Sequence, residues 1–389
     1  MIPQLPFDRP GPLAAPPELE RLCAQGPVHR VRTRVGHDAW LVTGHGEVRA
    51  LLDDDRLGRA HRDPDRAARS GESALFGGPM GDFDTEKADH TRMRSLLRPH
   101  FTPKRMRLLA PRVERLTAEL IGTMEHGPRP ADLHEALAVP LPIQVICELL
   151  GVPYADRERF RAWSLVAGDV TDRARSEQGL GELFDYGLTL VAAKRREPAD
   201  DVISHLAADP DVEDTEAAGL AMALLFAGHE TTVVQIGLGV LGLLADREQY
   251  RALVADPGLV PGAVEEVLRA PRKGGDGVPR YARVDFEIAG AAIAAGDLVL
   301  CDLGSANHDP GAFTDPERLD VTRSAGAHLG FGHGMRYCIG APLARIELRA
   351  VLEGLMRRLP ELRLAVAADE LSTRRDVLTG GLTALPVTW

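Results

Sequence analysis

Sulfur is scarce in this chain, and so are aromatic rings and surplus positive charge. Four cysteines (Cys23, Cys147, Cys301, Cys338) are scattered over 389 residues with no CxxC or other zinc spacing. That excludes a disulfide framework and fits a reducing compartment. A lone cysteine is by default a small buried hydrophobe, and Cys23, Cys147 and Cys301 are read that way. The formal net charge is -11, so electrostatics gives no general support for a nucleic-acid partner. Trp, Tyr and Phe make up 5% of the chain, which leaves few rings to stack on a ligand. No internal repeat is present, and no low-complexity linker follows the N-terminus. The opening MIPQLPFDRPGPLAAPP is Pro-rich and lacks the apolar core of a signal peptide. Residues 1–25 are therefore expected to form an extended arm.

Periodicity gives short strands over 28–31 and 39–42. Helical patterns follow, among them 105–124 and 177–195. Further strands are expected over 284–288 and 298–301, with a turn at Ala295-Gly296-Asp297 between them. A last helix spans about 341–359, with Pro342 tolerated in its first turn. Gly380-Gly381 followed by alternating apolar residues suggests a hairpin over 378–389. The fold class is mainly α with minor β, with residues 1–389 as a single large helical domain. That exceeds the usual size of one core, which a buried cofactor helps to explain.

Residues 220–244 are apolar and long enough to span a bilayer. His229, Glu230, Thr231, Thr232 and Gln235 lie in the middle, where lipid would make them costly. The segment is read as a buried core helix, with no membrane partner. Gly228 and the threonines weaken a helix at this point, and a Thr hydroxyl can bond the carbonyl one turn back and bend the axis. The expectation is a local opening with a hydroxyl and a carboxyl beside it. Taken alone, the same residues also describe a polar kink satisfied by neighbouring helices.

The most specific segment is Phe331-Gly332-His333-Gly334-Met335-Arg336-Tyr337-Cys338-Ile339-Gly340, followed by a helix. Three glycines in ten residues suit a tight loop passing close to something bulky. Cys338 lies just ahead of a helix start, whose partial positive charge favours thiolate over thiol. An ordinary thiol titrates near about 8.5, so deprotonation at neutral pH needs such help or a metal. Arg336 adds a cation nearby. A Cys–His nucleophile using His333 or His328 is the competing reading of the same loop.

On this loop the sequence resembles the cytochrome P450 family of haem-thiolate monooxygenases in its soluble bacterial form, over nearly the whole chain. The resemblance implies the P450 fold, haem b (iron protoporphyrin IX) ligated by Cys338, and dioxygen as co-substrate. The family commonly has His where this chain has Arg336, and the cationic role toward a haem propionate is expected to be kept. Phe331, Gly332, Gly340 and Ala227 are expected to lie against the cofactor. His90, Arg94, Arg280 and Arg336 match positions that bind the propionates. Glu230 and Thr231 match the oxygen-activating acid and alcohol. They are expected to position water for the two protons that reductive O–O cleavage consumes. Ala223, Leu224, Ala227 and Val278 would line the substrate pocket, and the loop Gly274-Gly275-Asp276-Gly277-Val278 would approach haem. Residues 61–88 and 163–190 would form the lid and mouth. Glu266 and Arg269 match a buried structural ion pair, with Arg323 or Arg318 as third partner. Asn307-His308-Asp309-Pro310 is read as a structural turn.

The function expected is oxidation of a small organic substrate, in secondary-metabolite biosynthesis. The chain shows no flavin or nicotinamide module, so electrons would come from ferredoxin and ferredoxin reductase. Arg105, Arg107, Arg112, Arg345 and Arg349 are candidates for a docking surface. A cytoplasmic monomer is expected. The alternatives are oxidative coupling or ring closure with the same cofactor, a non-catalytic haem sensor, and a Cys–His hydrolase without haem.

Overall fold

The computed structural model describes residues 2–271, 277–324 and 326–389. Its organising element is one helix, Asp214–Ala245, which carries 22 buried residues and is apolar on almost every side. A helix of that kind belongs inside a protein or a membrane. Here 67% of its most apolar window is buried within the fold. Asp214 and Glu216 in the first turn complement the helix dipole.

The helix is continuous across Gly228, Thr231 and Thr232. Tertiary packing overrides their weak propensity. A Cβ at Gly239 would collide with Val267 Cγ1, so the absence of a side chain lets helix Val260–Arg269 approach. The helices Pro140–Leu150 and Arg173–Arg196 pack on the same core.

A five-stranded sheet stands beside this helical body, in the order Val28–Arg32, Asp38–Val42, Leu298–Cys301, Val278–Ala282, Leu57–Gly58. Only the Asp38–Val42 and Leu298–Cys301 pair is parallel. Leu298–Cys301 is buried at every position, as a strand covered on both faces should be. The neighbouring strand sets Arg280 opposite Val299.

Several expectations need correction. The arm is not simply extended: Pro17–Cys23 is helical, and Leu5, Leu19 and Leu22 are buried in a cluster with Tyr281 and Leu298. Cys23 is exposed, not a core hydrophobe. The 284–288 strand is shorter, Phe286–Ile288, and it pairs with Ala291–Ile293. Ala289 and Gly290 both have positive φ (46° and 78°), the conformation a two-residue hairpin turn demands. The C-terminal hairpin is not formed as such. Pro386–Thr388 instead runs between Ala131–Asp132 and Arg363–Leu364, because its alternating apolar residues find partners far away in sequence.

Candidate active site

The cysteine loop leaves Cys338 exposed while Cys147 and Cys301 are buried. Burial pushes the Cys147 thiol up to about 12 and the Cys301 thiol up to about 11, so neither is suited to act as a thiolate. Gly332 and Gly334 have φ of 73° and 68°, where side chains are strained. A Cβ at Gly334 would also collide with Asp53. The Cys338 amide donates to Phe331 O at 3.0 Å, closing the loop. Helix Ala341–Arg358 starts three residues on, with Pro342 in its first turn.

Glu265 braces this loop from the next layer. It accepts Arg345 Nε at 2.6 Å and lies 3.0 Å from His328 Nε2. Arg345 also reaches Tyr337 Oη at 3.2 Å. Burial alone would raise the Glu265 carboxyl, but Arg345 and His328 hold it down to about 2. His328 also accepts from the Gly330 amide through Nδ1. With both ring nitrogens engaged, it is poorly placed to serve Cys338 as a base.

The core helix presents one stripe that is not buried. Ala223, Ala227 and Thr231, at i, i+4 and i+8, are exposed in a run of otherwise mostly buried residues. Leu224, seven residues before Thr231, is 7% exposed and packs in the hydrophobic core. Thr231 Oγ1 donates to Ala227 O at 2.9 Å, the one-turn-back bond expected from its sequence. His229 is fully buried; its Nδ1 sits 2.5 Å from Leu225 O and its Nε2 sits 3.3 Å from Glu230 Oε1. Burial raises the Glu230 carboxyl, yet His229 beside it, with the charges of Arg374 and Arg161, brings it below its ordinary value.

A third group is cationic. Glu86, His90 and Arg94 share one face of helix Glu86–Leu97. Arg94 Nη1 donates to Tyr337 O at 3.0 Å, next to Cys338. Arg336 forms an ion pair with Glu86. Glu86 further accepts the amides of Arg59 (2.7 Å) and Ala60 (3.2 Å) and pairs with Arg283. Arg280 is buried, and its Nη1 donates to the carbonyl of its own neighbour Pro279 at 2.8 Å.

Burial lowers His90 to about 4, helped by Arg336, Arg94 and Arg59, and its Nδ1 has no hydrogen-bond partner among the described residues. Arg59 is pulled down to about 10, first by burial and then by Arg280 and Arg336. Sequence reasoning missed Arg59 and Glu86. Glu86 was findable, because it extends the His90–Arg94 stripe back by one turn. Arg59 carried no such signal.

This arrangement fits a buried dianion. Arg59, Arg280 and Arg336 face chiefly one carboxylate, Glu86, and Arg94 donates to a carbonyl, which leaves charge for two more carboxylates, and His90 offers an orphaned nitrogen. Haem brings two carboxylates and an iron that takes thiolate.

Glu266 and Arg269 are buried at 3% and 2% exposure and joined by two 2.8 Å bonds. Arg323 is the third partner, with Nε 3.1 Å from Glu266 Oε1. Arg318 contributes only its carbonyl, to Arg269 and Arg323. Arg269 Nη1 also donates to Asn307 O and Pro316 O. Asn307 Oδ1 accepts the Leu329 amide at 2.7 Å, so the network reaches the start of the cysteine loop.

Gly274, Gly275 and Asp276 lie outside the described residues. Val278 opens its strand, half-buried, opposite Cys301. A partly open cavity of about 120 Å³ is lined by Ser70, Ser73 and Phe76 from the expected lid, and by Val170 from the expected mouth. Ala223, Leu224, Ala227 and Val278 do not line it. Of the five candidate docking arginines, Arg105 pairs with Asp200, Arg112 with Glu148 and Arg345 with Glu265. Arg107 and Arg349 are exposed.

A family model described as Cytochrome P450 matches residues 258–364. Pentalenolactone synthase from Streptomyces exfoliatus is 44% identical, over 100% of this chain and 99% of its own length. The cytochrome P450 monooxygenase PikC from Streptomyces venezuelae is 40% identical, over 96% of this chain and 90% of its own length. Among solved structures, PimD, a polyene macrolide antibiotic pimaricin epoxidase, superposes with a TM-score of 0.88 at 39% identity, covering 100% of this chain and 99% of that one.

Proposed function

The chain belongs to the cytochrome P450 family, and from that premise we propose that Cys338 is the iron ligand and that the three groups above divide the work of one active site. The protein is a haem-thiolate monooxygenase that activates dioxygen and oxidises a small organic molecule in secondary-metabolite biosynthesis, taking electrons from redox partners. Bound haem supplies the iron at which dioxygen is reduced and its O–O bond cleaved, a cleavage that thiolate donation favours.

His90, Arg94, Arg280 and Arg336 hold the propionates, with Arg59 adding charge. Phe331, Gly332, Gly340 and Ala227 pack against the cofactor. Ala223 and Ala227 are small, so they leave room for substrate, and Val278 closes the pocket from the sheet side. Glu266 and Arg269 brace the loop and do not touch the reacting atoms.

The proton route begins at a pair. His229 Nδ1 faces a carbonyl and must donate to it. Its Nε2 then faces Glu230, and the contact is favourable only when the two share one more proton. Thr231 gives its own hydroxyl hydrogen to Ala227 O, which leaves its lone pairs free to accept from water on the open side. Glu230, held below its ordinary value, is the carboxylate partner of that pair and passes the shared proton on in transit, and Thr231 orients the water that carries it.

The finer partner reading is a ferredoxin and its reductase, docking near the exposed Arg107 and Arg349, with the enzyme a cytoplasmic monomer of one domain. The observation that supports the whole most strongly is the exposed stripe Ala223–Ala227–Thr231 on a helix otherwise given over to the core. The test is Cys338→Ala. The variant is expected to purify without the thiolate spectrum, and a red protein with an unaltered spectrum refutes the assignment. Turnover under labelled dioxygen then separates oxygen insertion, which retains the label in product, from oxidative coupling, which does not.

A further inference from the structure

We propose that the substrate carries a carboxylate, held by Arg34 and Arg374; this rests on the monooxygenase reading and names the chemistry of what it oxidises. The 120 Å³ cavity forms where the N-terminal arm, residues 70–77, the start of strand Val278–Ala282 and residues 373–381 meet. Among the described residues four arginines line it (Arg9, Arg34, Arg374 and Arg375), and no Asp or Glu does.

Two of the four are engaged. Arg375 pairs with Asp8 at 3.3 Å, and Arg9 donates to the carbonyls of Pro12 and Ala14. The other two complete the cationic lining. Arg34 is half-buried, and its buried Nε has no hydrogen-bond partner among the described residues. Arg374 is half-buried, and its charge acts on Glu230 of the core helix and on His134. Leu238 of the core helix also lines the cavity, so the cavity abuts the helix that carries Thr231.

A guanidinium withdrawn from water without a partner is costly. A carboxylate is the group whose geometry matches its fork and returns that cost on binding. Phe76, Val170 and Leu238 supply apolar wall for the body of such a molecule.

The haem-loaded protein is titrated with decanoic acid and cyclohexanecarboxylic acid, each against its methyl ester, by the haem absorption shift and in parallel by calorimetry. Each acid is expected to bind at least about tenfold tighter than its ester, about 1.4 kcal/mol. Arg34→Gln with Arg374→Gln should remove that preference and leave ester binding unchanged. Arg34→Lys with Arg374→Lys keeps both charges and should retain part of the preference, which guards against misfolding of the first variant. Equal affinities of acid and ester, failure of either acid to bind, or a preference that survives the Gln substitutions overturns the proposal. Failure of the haem-thiolate assignment appears separately, as protein without haem colour, in which calorimetry still compares acid with ester.

Discussion

Thr231 and Glu347 are polar groups on the two helices that flank the cysteine loop and the open stripe, and each makes a sharp prediction. The Thr231 hydroxyl keeps its lone pairs toward the open side because its hydrogen is committed to Ala227 O. Thr231→Ala is expected to leave haem binding intact and to cut product formed per NADPH consumed by about tenfold or more, at or below the range for positioned proton transfer. Coupling measured as product against NADPH consumption decides it, and an unchanged ratio refutes the role. Glu347, on the helix behind Cys338, is 1% exposed, and its Oε2 has no partner among the described residues. Burial pushes its carboxyl well above the ordinary value. The unfolded chain ionises this group above about pH 4.3, so the folded state loses stability as pH rises past that point. Glu347→Gln should therefore raise Tm at neutral pH, with the gain vanishing near pH 4. Equal melting at both pH values contradicts this.

Among the elements, long periodic helices were legible in sequence and short pairings were not. The final helix, expected over 341–359, is observed as Ala341–Arg358, because its caps and periodicity are local. The C-terminal strand misled because its alternation says which face is buried but not which partner covers it. Ala289-Gly290 escaped notice as a turn because alanine seldom adopts positive φ. In the proposed site, Cys338 and Thr231 rest on the family resemblance, and the Glu266–Arg269 pair, a weak signal by spacing alone, is buried as that resemblance implies. The choice of Arg323 over Arg318 depended on a loop path that sequence does not encode. Helix Val260–Arg269 owes its place to that triad. Arg269→Ala leaves a buried Glu266 with Arg323 alone and should cost about 3–5 kcal/mol in denaturant unfolding. A loss below about 1 kcal/mol would show that the pair is not a brace.

For the molecule as a whole, Glu265 is a hub at which three distant parts of the chain converge, through His328 and Arg345. Its folded value, about 2, lies below that of the unfolded chain. The stability it contributes is present above about pH 4.3 and is lost as pH falls toward 2. The Tm difference between the natural protein and Glu265→Gln should thus shrink on acidification from about pH 5 to pH 3, and a constant difference rules the hub out.

The arm, too, reaches across the molecule. Its backbone at Pro3 and Leu5 pairs with Arg32, and Gln4 donates to Thr33 O at 2.6 Å. Val28–Arg32 is the outermost strand of its sheet, so these few residues blunt an open edge that would otherwise recruit strands from other molecules. Trimming them away would make the protein prone to sticking to itself well before it lost its fold.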